Sequence, residues 1–106
     1  MGVSAYGGMK NYWRIEAVSE AKQEFKSLPK DARTRIRETL RGEVRKDRPC
    51  SKMLAGCPGW YSIRDGKYRI VYAPYHDEVH IMLITAVGLH DDVYKEIHRR
   101  YRKYGS

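Results

Sequence analysis

An Asp-Gly pair at positions 65 and 66 separates two stretches in which apolar and polar residues alternate. Asp-Gly between such stretches is the strongest short-range signal for a two-residue hairpin turn. With both residues in the turn, Arg64 lies opposite Lys67, and each strand has one apolar and one polar face. The apolar face consists of Tyr61, Ile63, Tyr68 and Ile70, and the polar face of Ser62, Arg64, Lys67 and Arg69.

Three cations share the polar face of this predicted hairpin. Like charges directly opposite one another destabilise a strand pair, so a bound anion is expected to offset the repulsion. The whole chain is also basic, with 21 Lys and Arg residues against 13 Asp and Glu residues and a net charge of +8. This surplus indicates nucleic acid or an acidic protein as the partner.

The length of 106 residues, of which 42% are hydrophobic, is enough for one core. No apolar run approaches the roughly 18 residues of a membrane span, and no secretory signal pattern occurs, so we expect a cytoplasmic protein without membrane contact. Residues 1–10 lack periodicity and are predicted to form a flexible leader ahead of a domain over 11–104. Cys50 and Cys57 lack the spacing of a zinc site and are predicted to be free thiols. No metal and no cofactor is expected.

The remaining periodicities predict an α+β fold. The predicted elements, in order, are a strand over 12–18, helices over 19–28 and 30–47, a loop over 48–59, the hairpin, a strand over 79–87 that ends at Gly88, and a helix that starts at Asp91. Pro29 separates the first two helices. The order β-α-α-β-β-β-α predicts a small single domain with a twisted sheet rich in antiparallel pairs.

Several short motifs follow one another in a recognisable order. They are Leu28-Pro29 between two helices, Leu54-Ala55-Gly56, Tyr61-Ser62-Ile63-Arg64, Tyr68-Arg69-Ile70-Val71-Tyr72, and Val87-Gly88-Leu89-His90 followed by Val93-Tyr94. Together they make the chain, from residue 12 to about residue 101, resemble the RelE/ParE toxin superfamily. The resemblance implies the RelE-like fold and a toxin of a type II toxin-antitoxin module. It implies either a metal-independent endoribonuclease that cuts mRNA, typically in the ribosomal A site, or an inhibitor of DNA gyrase.

The resemblance also implies roles for four residues. Arg69 matches the family arginine that stabilises the scissile phosphate, and Arg64 matches a position often filled by lysine. His90 matches the histidine that a subset of the family uses for acid-base chemistry, and an imidazole serves well near neutral pH. Tyr94 matches a tyrosine that acts as acid or base, or stacks on an mRNA base. A base, an acid and positive charge at the phosphate are what metal-free RNA cleavage requires.

Other interpretations of these residues stay open. Ser62 occupies a position at which the RelE ribonucleases that this chain resembles carry a lysine, so a degenerate, inactive toxin is an alternative. The nuclease is favoured over gyrase inhibition because the set of four residues is complete. Arg69 can instead have a structural role, paired with Asp65, Asp91 or Asp92. His90 can be a capping or loop histidine, and Tyr94 can belong to the core stripe of the last helix.

The partners follow from charge and resemblance together. The basic surface is similar to the family surface that an acidic antitoxin wraps, which implies a disordered antitoxin that folds on binding and a toxin-antitoxin hetero-oligomer. The other predicted partners are mRNA and the ribosome, since residues 30–48 hold eight Lys or Arg against four acids. The predicted RNA-binding residues are Arg33, Arg37, Arg41, Arg45, Ser62 and Lys67.

Overall fold

A computed structural model describes residues 12–76 and 78–105 of the chain. Its elements are β1 (Arg14–Ala17), α1 (Ser19–Lys26), α2 (Lys30–Glu43), β2 (Lys52–Met53), β3 (Tyr61–Asp65), β4 (Tyr68–His76), β5 (His80–Leu89) and α3 (His90–Tyr104). This is the predicted α+β order with one added strand, β2. The leader predicted for residues 1–10 lies outside the described residues.

The strands form one mixed sheet in the order β1-β5-β4-β3-β2. β1 runs parallel to β5, and the other three pairs of neighbours are antiparallel, which confirms a sheet rich in antiparallel pairs. β1 pairs only with residues 81–84 of β5. Beyond residue 84, β5 therefore has no strand on that side within the described residues.

Helices cover the sheet on both sides. α1 and α2 pack over Ile63, Ile70 and Met82, in a core that also holds Ile36 of α2. α3 packs on the opposite side, where its Ile97 joins a second core with Val71, Ala73 and Ala86 of the sheet and with Trp60, which directly precedes β3. The polar hairpin face is consequently open only where α3 does not lie over it.

The hairpin turn lies one residue later than predicted, so each residue of β3 pairs with a residue two positions further along β4. Asp65 belongs to β3 and pairs with Tyr68, so Gly66 and Lys67 form the turn. Gly66 has a φ of 60°, as the glycine-first class of two-residue turn requires. The cause is a long-range contact, because α2 holds the Asp65 carboxylate through Arg35 Nη2 at 2.8 Å and Thr39 Oγ1 at 2.9 Å. The face assignments of the strand residues are retained, because a register change of two residues keeps each side chain on the same face.

The stretch 48–59 was predicted as a loop and contains β2 instead. Lys52 pairs with Ser62, and Met53 pairs with Tyr61. The chain turns back beyond β2 through two glycines with positive φ, Gly56 at 79° and Gly59 at 88°. Two residues are too short for an alternating pattern to show, so the sequence gives no strand signal here.

Element boundaries also differ from the sequence prediction, and three of these differences are the largest or lie at the site. α2 ends at Glu43, because the carbonyl of Val44 accepts hydrogen bonds from the backbone N–H groups of Tyr12 and Trp13 at 2.7 and 2.8 Å. β5 continues through Gly88 to Leu89, and α3 begins at once with His90. His90 is therefore the first residue of a helix and not a residue of a connecting turn.

Candidate functional site

Three neighbouring strands bring the predicted catalytic residues to one end of the sheet. Arg64 of β3 lies directly opposite Arg69 of β4, and Arg69 lies opposite Gly88 of β5. The backbone N–H of His90 donates to the carbonyl of Lys67 at 3.2 Å, which ties the start of α3 to the hairpin turn. Arg64, Lys67, Arg69, His90 and Tyr94 are called the hairpin-end cluster below.

Arg69 is half-buried and its guanidinium is held by backbone. Its Nη1 donates to the carbonyls of Gly66 and Tyr68, each at 3.0 Å. In the chain as described, residues 12–76 and 78–105, no carboxylate lies within 4.0 Å of the charged nitrogens of Arg64, Lys67 or Arg69. The alternative in which Arg69 is paired with Asp65, Asp91 or Asp92 is therefore wrong.

None of the three aspartates considered for that alternative forms an ion pair with Arg69. Asp65 is paired with Arg35, and its side chain is only 10% exposed. Asp91 lies with its Oδ1 2.9 Å from Nδ1 of His90. Asp92 is exposed in the first turn of α3. The positive charge of the cluster is thus left available to an anion from solution.

His90 and Tyr94 are in contact. They are four residues apart on α3, and their ring centroids lie 4.4 Å apart with the planes at 64°. His90 is exposed, whereas Tyr94 is half-buried and packs partly on the core beneath α3. Tyr94 therefore packs on the core and also contacts the ring of His90. A place in the core stripe of α3 is thus compatible with a role beside His90.

Asp91 orients the imidazole of His90. A carboxylate can only accept, so the 2.9 Å contact places the proton of a neutral imidazole on Nδ1. Nε2 is then the unprotonated nitrogen and is free to accept a proton. The cluster thus combines two uncompensated guanidinium groups, an imidazole with a basic nitrogen and a phenol, which are the groups that general acid-base chemistry on a phosphate ester uses.

Ser62 is the one member of the predicted polar face that is buried, with 9% of its surface exposed. Its cross-strand neighbour on β2, Lys52, is exposed and was not among the residues predicted from sequence. Only the β2–β3 pairing could have revealed Lys52, and the sequence predicts no strand there.

The four arginines predicted to bind RNA are not part of the hairpin-end cluster: three lie on α2, in the helix layer opposite α3, and Arg45 follows that helix. Arg33 donates to the carbonyl of Leu28 at 2.8 Å, and Arg41 pairs with Glu38 at 2.8 Å. Arg37 lies 5.2 Å from the centre of the Phe25 ring, and Arg45 is exposed just beyond the helix.

An apolar groove of about 500 Å³ opens between the sheet and the α1–α2 layer. Its apolar lining includes Ile15, Phe25 and Leu40, and Ile15 is 41% exposed. The basic residues in its lining are Lys22, Lys26, Arg37 and Arg41.

None of the helices within the described residues has the length and apolar character that a bilayer crossing demands. In those same parts of the chain, His, Cys, Asp and Glu side chains form no group of three or more that could hold a metal ion. Cys50 is exposed, Cys57 is buried, and both are free, as predicted.

Solved structures of RelE toxins and of RelBE complexes resemble this fold. A free-state mutant of the E. coli toxin RelE is 26% identical in sequence, with a TM-score of 0.66 over 86% of this chain and 98% of that chain. In the intact E. coli RelBE toxin-antitoxin complex the match is 24% identical, with a TM-score of 0.62 over 73% of this chain and 95% of that chain. In the toxin-antitoxin complex RelBE2 from Mycobacterium tuberculosis it is 23% identical, with a TM-score of 0.64 over 76% and 99%. No protein-family model and no curated protein sequence matches the chain.

Proposed function

Because this chain has the RelE-like toxin fold, we propose that it is the toxin of a type II toxin-antitoxin module and acts as a metal-independent endoribonuclease. Its substrate is mRNA, cut in the ribosomal A site, so that translation stops. The observation that carries the proposal is the alignment of Arg64, Arg69 and Gly88 on adjacent strands. It brings two arginines, neither with a carboxylate partner among the described residues, to the same end of the sheet as His90 and Tyr94.

RNA cleavage needs a base that takes a proton from the 2′-hydroxyl, an acid that gives a proton to the leaving 5′-oxygen, and positive charge that stabilises the intermediate. Nε2 of His90 takes the proton from the 2′-hydroxyl, and the 2′-oxygen then attacks the adjacent phosphorus. The bond from phosphorus to the 5′-oxygen breaks, and the hydroxyl of Tyr94 supplies a proton to that leaving oxygen. The products are a 2′,3′-cyclic phosphate and a free 5′-hydroxyl.

Arg69 and Arg64 stabilise the pentacoordinate intermediate of this reaction. A guanidinium stays charged at any relevant pH, and its planar array of donors matches the oxygens of a phosphate. Arg69 is already fixed by two backbone carbonyls, so little ordering remains when the phosphate binds. Removal of such a preorganised donor typically lowers a rate by a factor of about 100 to 1,000.

An acidic antitoxin is the proposed protein partner. The groove between the sheet and the α1–α2 layer has an apolar lining with four basic residues, so it suits an amphipathic segment that carries both apolar and acidic side chains. The solved RelBE complexes that share this fold each contain an antitoxin. The exposed basic residues of α2 are then proposed to contact ribosomal RNA phosphates when no antitoxin is bound.

The experiment that tests the nuclease is induction of the protein alone in cells, with mRNA 5′ ends mapped by primer extension. The variants are Arg69→Ala and His90→Ala. The controls are Arg99→Ala and His98→Ala, which change exposed residues of α3 outside the hairpin-end cluster. We expect new ends within translated codons for the wild type and both controls, and none for the two variants.

Two other outcomes would contradict the nuclease. Growth arrest without new mRNA ends, equal in all five proteins, would instead support inhibition of gyrase. Absence of any growth arrest, with the protein folded and expressed, would support a degenerate toxin. Repeating the cleavage in vitro with and without ribosomes then tests whether the A site is required.

A further inference from the structure

The exposed cation Lys52 lies beside the hairpin-end cluster on the same face of the sheet. It is the first residue of β2 and the cross-strand partner of Ser62. Side chains of directly paired residues project from the same face, and residues two apart on one strand do so as well. Lys52, Ser62, Arg64 and Arg69 therefore share one face.

The spacing along this face is set by strand geometry. Ser62 and Arg64 are two residues apart on β3, so the position of Lys52 is displaced by about 7 Å along the strands from that of Arg64 and Arg69. Lys52 lies on β2, an edge strand of the sheet, whereas α3 covers β4 and β5 in the middle of the sheet. Both Lys52 and Arg64 remain exposed, which leaves a path from the cluster to this edge of the sheet.

Ser62, the residue opposite Lys52, leaves room for the Lys52 side chain to extend along the sheet face. Ser62 is buried and short, so the aliphatic stem of Lys52 can lie across it towards Arg64. No carboxylate in the described parts of the chain lies within 4.0 Å of the Lys52 ammonium. Its charge is therefore available to an external anion.

We propose that Lys52 binds a backbone phosphate of the substrate RNA adjacent to the phosphate held by Arg64 and Arg69. One phosphate of the RNA strand then contacts Arg64 and Arg69, and its neighbour contacts Lys52 on the same face of the sheet. The two contacts together fix the position of the RNA along the sheet relative to His90. This inference rests on the proposed function in that RNA is the ligand. Lys52 is a binding and positioning residue and takes no part in proton transfer.

Binding of single-stranded RNA by the uncleaving His90→Ala protein tests this inference. Each phosphate contact contributes about 0.7 to the slope of the logarithm of affinity against the logarithm of salt concentration. We expect the added change Lys52→Gln to lower that slope by about 0.7 and to weaken binding several-fold at low salt. Lys52→Arg should restore the slope, since it retains the charge.

The control is Arg14→Gln, which removes an exposed cation from β1, at the opposite edge of the sheet from β2. An unchanged salt slope in the Lys52→Gln protein, or an equal reduction in the Arg14→Gln protein, would overturn the assignment. The thermal unfolding midpoints of all variants check that the fold is intact. If the wild type binds RNA through Lys52 but cuts none, the proposed nuclease fails while this inference stands.

Discussion

Arg100 and Glu24 join α3 to α1 across the open edge of β5. Arg100 Nη1 lies 2.8 Å from Glu24 Oε1 and donates to the carbonyl of Thr85 at 2.9 Å, while the same glutamate oxygen accepts the backbone N–H of Val87 at 3.2 Å. These are backbone groups of β5 beyond the point where β1 stops pairing. The ion pair thus replaces a neighbouring strand, which protects an edge that would otherwise present unpaired groups.

Arg100→Met is expected to lower the free energy of unfolding by about 2–4 kcal/mol. The Arg100 side chain is only 10% exposed and that of Glu24 is 31% exposed, so loss of Arg100 leaves a half-buried carboxylate and the carbonyl of Thr85 without their donor. Urea denaturation followed by circular dichroism measures this. Arg99→Met is the control, because Arg99 is 73% exposed and its pair with Glu96 should contribute under about 1 kcal/mol. Equal effects of the two changes would contradict the edge-protecting role.

Glu20 is expected to make stability depend on acid pH. Hydrogen bonds from Lys103 and then from Tyr104 lower the pKa of Glu20 to about 2. The unfolded chain therefore binds this proton more readily than the folded chain, so the stabilisation is complete above the ordinary pKa of 4.5 and is lost as the pH falls towards 2. Urea midpoints measured from pH 6 to pH 2 should fall less steeply for Glu20→Gln than for the wild type. Parallel curves for the two proteins would refute this.

Gly66→Ala is expected to destabilise the protein by about 1–2 kcal/mol. Gly66 has a φ of 60°, and an added Cβ would lie 2.9 Å from Nη2 of Arg35, the group that holds Asp65. Gly42→Ala is the matched control, since nothing lies within 4 Å of its added Cβ and it is helical. That change should stabilise by up to about 1 kcal/mol. Thermal unfolding compares them, and a stable Gly66→Ala protein would argue against the observed turn.

Tyr94→Phe is expected to reduce RNA cleavage by a factor of about 100 or more while the unfolding midpoint stays close to that of the wild type. The change keeps the ring that contacts His90 and removes only the hydroxyl proposed as the acid. Tyr75→Phe, at a 44% exposed position on β4, should cleave at the wild-type rate. Single-turnover cleavage measures both. Full activity of Tyr94→Phe would leave the ring contact as the role of Tyr94 and require another acid.

Local pattern was sufficient for the faces of the hairpin but not for its register. Alternation assigns Arg64 and Arg69 to one face for any two-residue turn, so that prediction is confirmed. The register depends on the hydrogen bonds of Asp65 with α2, between residues 26 and 30 positions apart, and no local signal reports them. Strand β2 and its Lys52 were missed for the same reason, because a two-residue strand exists only through its partner.

The placement of His90 also needed the structure. Gly88 followed by two aspartates suggested a turn and then a helix, whereas β5 passes directly into α3. The contact of His90 with Tyr94 depends on that start, because both residues then lie on one helix at a spacing of four. The α+β order was predictable from periodicity, since the longer helices and strands each bury a regular stripe.

The direct passage from β5 into α3 makes the site intolerant of insertions and deletions. A loop would absorb an extra residue, but here one residue added between Gly88 and His90 would turn the whole helix by about 100° relative to the sheet. Ile97 would leave the core at the same time as the backbone N–H of His90 lost its hydrogen bond to the carbonyl of Lys67. Changes of chain length at this junction should therefore abolish folding and function together, and only substitutions can alter the site gradually.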